Sequence, residues 1–491
     1  LRPRRASLPT CVLAAAALGA CAEPAAYQTS VPAPKLATLH LTADGPLLKD
    51  ALNRTVLTRG VNAGGQSKHP PYFPFAFAES GIAGEATAPP FAQAASDYVD
   101  LVAQAGFTQV RLLFLWEAVE PTQGTYDDTY LGRVATLASD FGARGIRVVL
   151  DNHQDVYSTL FCGEGFPGWT LDGYNAQAPS SCNPWYQGYL GQLPDMNAAF
   201  DRLYANTGGI QDRFTAMWGH VASRLASVDS VVAFEILNEP YRGSMDQTIW
   251  AEGPLKAFYE NVAGTLRTAA PGHLLVFEPS GTSPAESTLI AFPPDGTDWI
   301  FAPHYYEPQA YVFGPDVTSA WTMMTSLITP IGAYGPKWNM PVILGEFGVS
   351  NGYMNSAAYL AATWEALDAN AMCGTVWHFS TTPDPNPQEQ FDIWANGMET
   401  PGFDASVRPY PTAIAGTLQS WAYDGTSGTG TLTLDATAGG VTEVVVQSRR
   451  YSSAPKVSVQ GAHIHYEYDR SSQRLRFTVP GGGRTTVTIA K

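Results

Sequence analysis

A (β/α)8 barrel followed by a small antiparallel β-sandwich is the architecture this sequence predicts, and three observations lead there. Strand-like and helix-like segments alternate through eight rounds between Val56 and Phe379, the pattern of a closed parallel barrel. No Gly-rich phosphate loop follows the first strand, which weakens a doubly wound open sheet as the rival. After Arg408 the texture changes to short period-two runs broken by Gly, Ser and Asp, as in an antiparallel sandwich.

The elements follow in order. Arg2, Arg4 and Arg5 precede an apolar, alanine-rich stretch, Leu8–Ala20, too short to span a bilayer and readable as a signal segment. It ends in "LGAC", similar to a bacterial lipobox, so residues 1–20 are expected to be removed and Cys21 lipidated. Ordinary cleavage after Ala22 is the alternative, because Ala20 and Ala22 fit a small-x-small site. The expected product is exported, either secreted or anchored to the cell envelope. Residues 21–38 read as a linker, 39–405 as the barrel and 408–491 as the sandwich.

The predicted barrel strands are Val56–Asn62, Thr108–Phe114, Ile146–Asp151, Val231–Leu237, Leu274–Glu278, Trp299–His304, Val342–Glu346 and Gly374–Phe379. Helices are predicted over Phe91–Ala105, Tyr130–Arg144, Asn197–Leu225, Ala257–Ala269, Val317–Ile328 and Ser356–Ala369. The sandwich follows the barrel without a long linker, so it is expected to pack against the barrel rather than act as a tethered binding module.

The 491 residues are 45% hydrophobic and 15% charged, with a net charge of −16. That composition suits a large core, and the charge argues against nucleic acid or an anionic membrane as electrostatic partners. Cys162 and Cys182 lie in a loop-like region where an exported chain permits a disulfide. Cys373 sits in an apolar run and reads as a buried small hydrophobe. With no CxxC and no His/Cys cluster, no metal and no cofactor are expected.

Reactive groups of such barrels stand at the C-terminal strand ends. Those ends carry Arg111 on the second strand, His153 and Asp155 on the third, Asn238 and Glu239 on the fourth, His304 and Tyr306 on the sixth, Glu346 on the seventh and Trp377 on the eighth. The fourth strand, "VVAFEILNEP", is apolar until it ends in a polar pair and a proline. A turn explains that ending; so does a carboxylate presented at the barrel mouth. Glu239 and Glu346 would face each other across the mouth, and two carboxyls roughly 5 Å apart cleave glycosidic bonds with retention. Arg111 could keep Glu346 ionised and Tyr306 position it. Asn238 could hold the sugar 2-hydroxyl, and Trp377 offers a flat face to a sugar ring. Glu239 needs a raised pKa to rest protonated. Glu278 also ends a strand, and a structural role is expected for it.

Arg111, His153, Asn238–Glu239–Pro240, His304, Tyr306, Glu346 and Trp377, in this order, resemble glycoside hydrolase family 5. The resemblance implies Glu239 as acid/base, Glu346 as nucleophile, and no metal. "RLLFLWEAVEPTQGTYD" (111–127) and "LDNHQDVYS" (150–158) resemble the endoglycoceramidase branch, which releases the whole glycan from ceramide. That likeness implies a glycosphingolipid substrate met at a membrane or micelle surface, with His153 and Asp155 binding the sugar beside the cleaved bond. Lys68 is a further candidate for that work, or a solvated lysine, and Trp185 a candidate sugar platform. The loops "HPPYFPFAFAESG" (69–81) and the one holding Phe161, Phe166, Trp169, Trp185, Tyr186 and Tyr189 would suit an acyl chain if exposed, or would build small cores of their own. The alternative functions are an endo-β-1,4-glucanase of the same family and a non-catalytic glycolipid-binding lipoprotein.

Overall fold

Strands buried on both faces dictate the centre of the molecule. The computed structural model describes residues 26–491 except 83–86, 281–289, 308–327, 384, 386–389 and 396. Eight parallel strands run Arg59–Asn62, Gln109–Phe114, Arg147–Asn152, Val231–Glu235, Leu274–Phe277, Trp299–Phe301, Ile343–Leu344 and Cys373–Val376, and every residue in them is buried. Each neighbours the next in the chain, and the eighth returns to pair with the first. A parallel bridge between Phe301 and Val342 closes the ring. Beyond it, His304–Tyr305 pairs with Glu346–Phe347, which sets His304 opposite Glu346 in register.

Amphipathic helices wrap the ring, including Phe91–Gln104, Asp128–Ala143 and Lys256–Ala269, and Ser356–Ala369 joins them as a helix that is apolar and buried on most sides. Asp127 caps the second of these by accepting from the amides of Thr129 and Tyr130. The predicted helix Asn197–Leu225 is two helices, Pro194–Tyr204 and Ile210–Leu225. Asn206, Gly208 and Gly209 take φ of 51°, 66° and 77° between them, a left-handed turn that an α-helix cannot contain. The predicted helix Val317–Ile328 lies outside the described residues except for Ile328. Cys373 is buried and unbridged, as its apolar setting predicts. No helix among the described residues is long and apolar enough to cross a membrane.

The C-terminal region forms two sheets. One holds Gly416–Asp424, Thr429–Ala436, Gly483–Ala490 and Lys456–Gly461. The other joins Ile464–Asp469, Arg474–Thr478, Val441–Val445 and Tyr410–Ile414 to N-terminal strands, and here the expected boundary shifts. Thr42–Asp44, Leu47–Lys49 and Thr55–Val56 belong to this sheet and not to the barrel, which begins at Arg59. The reason is pairing: Val56 finds its partner in Ala413, and Thr55 in Ile414. Ala26–Gln28, inside the expected linker, adds a further strand beside Ile464–Tyr466. The sandwich packs on the barrel floor, where Val149, Val232, Leu274 and Ile343 share one apolar cluster with Tyr410, Ile414, Val444 and Phe477. Cys21 and the expected signal segment lie outside the described residues.

Candidate active site

The site is built around one guanidinium. Arg111 is 1% exposed on the second strand and meets four carboxylates: Glu235 through two hydrogen bonds (2.9 and 3.0 Å), Glu346 at 2.6 Å, Asp151 at 3.1 Å and Glu278 at 3.3 Å. It also donates to the side-chain oxygens of Asn62 (3.0 Å) and Asn238 (2.8 Å). One cation cannot balance four buried anions, so protons must be retained among them. Burial pushes Glu278 well up, and burial raises Asp151 too. Burial also works on Glu235, but Arg111 and a hydrogen bond from Glu278 bring it below its ordinary value.

Glu346 leaves the seventh strand with Arg111 on one oxygen and the Tyr306 hydroxyl, donating at 2.7 Å, on the other. Burial still raises it, against the pull of His304 and Arg111. Glu239 sits opposite with a left-handed φ of 41°, a conformation a glutamate adopts only when its surroundings impose it. Three hydrogen bonds do so here. The Gln154 amide donates to the carbonyls of Asn238 (2.8 Å) and Glu239 (2.9 Å), and Glu239 N–H donates to Glu278 at 3.1 Å. Burial, then the nearby Asp155 charge, pushes Glu239 up to about 8. Oxygens of Glu239 and Glu346 lie within 4.8 Å of one another, with His304 in the same group.

Burial lowers His304 to about 4, so the ring is neutral. It lies 2.9 Å from Glu239 through Nδ1 and 3.3 Å from Glu278 through Nε2. Only Nδ1 is hydrogen-bonded, to Glu239, so the neutral ring holds the Glu239 carboxyl in place while Nε2 merely lies near Glu278.

On the third strand's side, His153 has Nδ1 2.8 Å from Asp151 and Nε2 3.6 Å from Asp155, and its ring stacks on Trp377 at 5.3 Å. Burial opposes its charge, but these two aspartates hold it at about 10. Lys68 is not solvated. It is 3% exposed, 2.5 Å from Asp155 and 3.4 Å from Glu164, under the rings of Trp185 (5.0 Å) and Trp377 (5.3 Å). Although burial works the other way, Lys68 and His153 hold Asp155 well below the usual carboxylate range. His153, Asp155 and Glu164 have the spacing of a metal-ligand set, but the Lys68 ammonium already supplies the cation that such a set needs.

Cys162 and Cys182 are bridged, and the turn Trp185–Gly188 follows directly. Just past it, the Tyr189 hydroxyl donates to Asp155 at 3.2 Å. The aromatic loops mostly serve their own cores: Phe73, Phe75, Phe77, Phe161 and Phe166 are at most 2% exposed, so an open aromatic surface for an acyl chain is not formed by these rings. The structure thus gathers every expected catalytic and sugar-binding candidate at one barrel mouth. It adds Asp151, Gln154, Glu164 and Glu235, which sequence reading passed over, brings the loop aromatic Tyr189 onto Asp155, and gives Glu278 direct contacts with Arg111 and Glu239.

Comparison with known proteins agrees with this geometry. Residues 74–382 match the cellulase model of glycosyl hydrolase family 5, and residues 408–489 match the glycoside hydrolase family 5 C-terminal domain. The chain belongs to glycoside hydrolase family 5. As a family 5 hydrolase it is 29% identical over 478 residues to endoglycoceramidase I of Rhodococcus hoagii (strain 103S), covering 93% of this chain and 89% of that relative. Among solved structures it resembles endo-glycoceramidase II from Rhodococcus sp. in its ganglioside GM3 complex, with a TM-score of 0.73 and 26% identity over 90% of this chain and 99% of that one. The lactosyl-enzyme intermediate of the same enzyme gives a TM-score of 0.71 and 27% identity over 91% and 99%.

Proposed function

We propose that this family 5 hydrolase is a retaining endo-β-glycosidase that cleaves glycosphingolipids between glycan and ceramide. The observation that carries the mechanism is the Glu239–Glu346 separation, within 4.8 Å. Inverting enzymes need roughly 6.5–9.5 Å between their carboxyls to seat a water, whereas retaining ones use about 5 Å. Support for the substrate is the likeness to the Rhodococcus endoglycoceramidases over nearly the whole chain.

In this reading Glu346 attacks the anomeric carbon while Glu239 gives its proton to the departing ceramide oxygen. Glu239 then takes a proton from water, which attacks the same carbon and releases the glycan with its configuration retained. Asn238 faces the 2-hydroxyl, His153, Asp155 and Lys68 take neighbouring hydroxyls, and Trp377 and Trp185 form sugar-facing walls. The substrate would be met at a membrane or micelle surface. An exported chain, secreted or carried on a lipid at Cys21, accords with the Cys162–Cys182 bridge.

The test is incubation with a defined ganglioside and a galactosylceramide series, with Glu346→Ser as control. Intact oligosaccharide plus ceramide from the wild type alone is the expected result. Turnover of a soluble β-glucan with silence on every glycolipid would keep the two-glutamate chemistry and reject the ceramide substrate. Binding without any turnover would reject both.

A further inference from the structure

At the opposite end from the two glutamates, the barrel and the sandwich form a half-open cleft of about 430 Å³. Five arginines line it, Arg54, Arg144, Arg147, Arg474 and Arg476, against only two acids, Asp100 and Glu443. Such a concentration of positive charge is unexpected in a chain of net charge −16.

Three of the five have protein partners. Arg54 pairs with Asp50 (2.8 Å) and Glu443 (2.7 Å), Arg144 with Asp100 (2.6 Å), and Arg476 with Glu443 and Asp469, both at 3.6 Å. The other two have no carboxylate partner among the described residues and meet only backbone carbonyls. Arg147, 6% exposed, donates only from Nε, to the Leu39 carbonyl at 2.9 Å. Arg474 donates only from Nη1, to the carbonyls of Ser472 (3.1 Å) and Gln473 (3.4 Å). Among the described residues, neither forms an ion pair. Loss of water holds both guanidinium groups below their ordinary pKa. The Nε of Arg476, in the same wall, also has no hydrogen-bond acceptor. Neither the Arg147 nor the Arg474 guanidinium has a carboxylate within ion-pair distance; Glu443 acts on both only at longer range, with Asp50 on Arg147 and Asp469 on Arg474, and a bound anion would complete their neutralisation.

We propose that this cleft binds an oxyanion of the phosphate class between Arg147 of the barrel and Arg474 of the sandwich. A tetrahedral anion offers several oxygens and can accept from two planar forks at once, which a single carboxylate does less well. The cleft exceeds the size of bare phosphate, so it also has room for an ester substituent. Either free phosphate or the phosphate of a lipid headgroup presents this chemistry. The anion would cross-link the two domains where their apolar contact is interrupted by charge. None of this depends on the glycosidase assignment.

The test is calorimetric titration of the full-length protein with orthophosphate and with glycerol phosphate, at constant ionic strength in chloride. Saturable binding of one anion per chain is expected, with a matching rise in Tm. Arg147→Met and Arg474→Met should each weaken it about tenfold or more, the scale of losing one charge-assisted pair. Arg474→Lys keeps the charge and loses the fork, so it tests the geometry if the Met variants fold poorly; several-fold weakening is expected. Preference for glycerol phosphate assigns the ligand to a lipid headgroup, and equal affinity assigns it to free phosphate. Absence of saturable heat with both anions overturns the proposal, as does unchanged affinity in all three variants.

Discussion

Glu239 has to hold its proton until the departing oxygen takes it, and a pKa pushed up to about 8 lets it do so at neutral pH. The proposed roles therefore predict that kcat/KM falls as pH rises through about 8, and falls again on the acid side as Glu346 takes up a proton. Glu239→Gln should cost about 10²–10⁴ in kcat on glycolipid and erase the alkaline limb, which a pH-rate series would reveal. An unaltered limb in that variant would place the titration elsewhere. Lys68→Met should be harsher on binding than on chemistry. It takes the ammonium from Asp155 and Glu164 and leaves Asp155 to His153, a broken buried pair that typically costs about 3–5 kcal/mol of stability. The expected pattern is a lowered Tm and a KM raised more than kcat is reduced. At this scale the sequence was most legible where a polar residue interrupts an apolar strand end. Glu235 escaped because it sits inside its predicted strand, where a charge reads as an isolated exception, and Asp151 because His153 and Asp155 just beyond it drew the reading. Only the Arg111 fork, pointing inward from the adjacent strand, explains them.

The loop after the third strand shows what single elements contribute. Its bridge closes a stretch with a sequence separation of 20 and ends just before the turn bearing Trp185, while Tyr189 reaches Asp155. Removing the bridge with Cys162→Ser and Cys182→Ser should cost roughly 3 kcal/mol through the unfolded chain. It should also raise KM by loosening Trp185 and Tyr189, with kcat less affected. Steady-state kinetics with and without reductant would check this; an unchanged KM would remove the loop from the substrate site. Phe91–Gln104, Asp128–Ala143 and Lys256–Ala269 were readable from apolar spacing, but the break at Asn206–Gly209 was missed because the spacing resumes on the far side. Tyr410–Ile414 lies at the junction with the barrel and is buried throughout, so it lacks the alternation that marks an exposed sheet.

Across the whole molecule, pH and domain contact govern stability. His153 is held at about 10 when folded, above its ordinary 6.5, so its contribution is complete below about 6.5 and lost as pH rises through 10. Asp155 lies below its ordinary 3.8, so its contribution is present above that value and lost as pH falls further. His304, lowered to about 4, makes the unfolded chain the better proton acceptor below about 6.5, and stability declines from there toward 4. A Tm series across pH should therefore be highest near neutrality and fall on both sides, and His304→Gln should flatten the fall between 6.5 and 4. Ending the chain at Val407 should leave little soluble protein, because Val149, Val232, Leu274 and Ile343 lose their apolar cover; a soluble, helical product would show that the barrel stands alone. Barrel and sandwich were both legible as sequence textures. Their shared sheet was not, since period-two alternation shows that a strand exists and not which distant strand it pairs with.

That shared sheet has a consequence for the growing chain. Thr55–Val56 is made long before Ala413–Ile414, yet they are neighbours in the finished sheet. The same holds for Ala26–Gln28 and Ile464–Tyr466. Contacts this remote in sequence form late and slowly. A partly synthesised molecule therefore has its barrel uncovered at the floor until these C-terminal strands arrive.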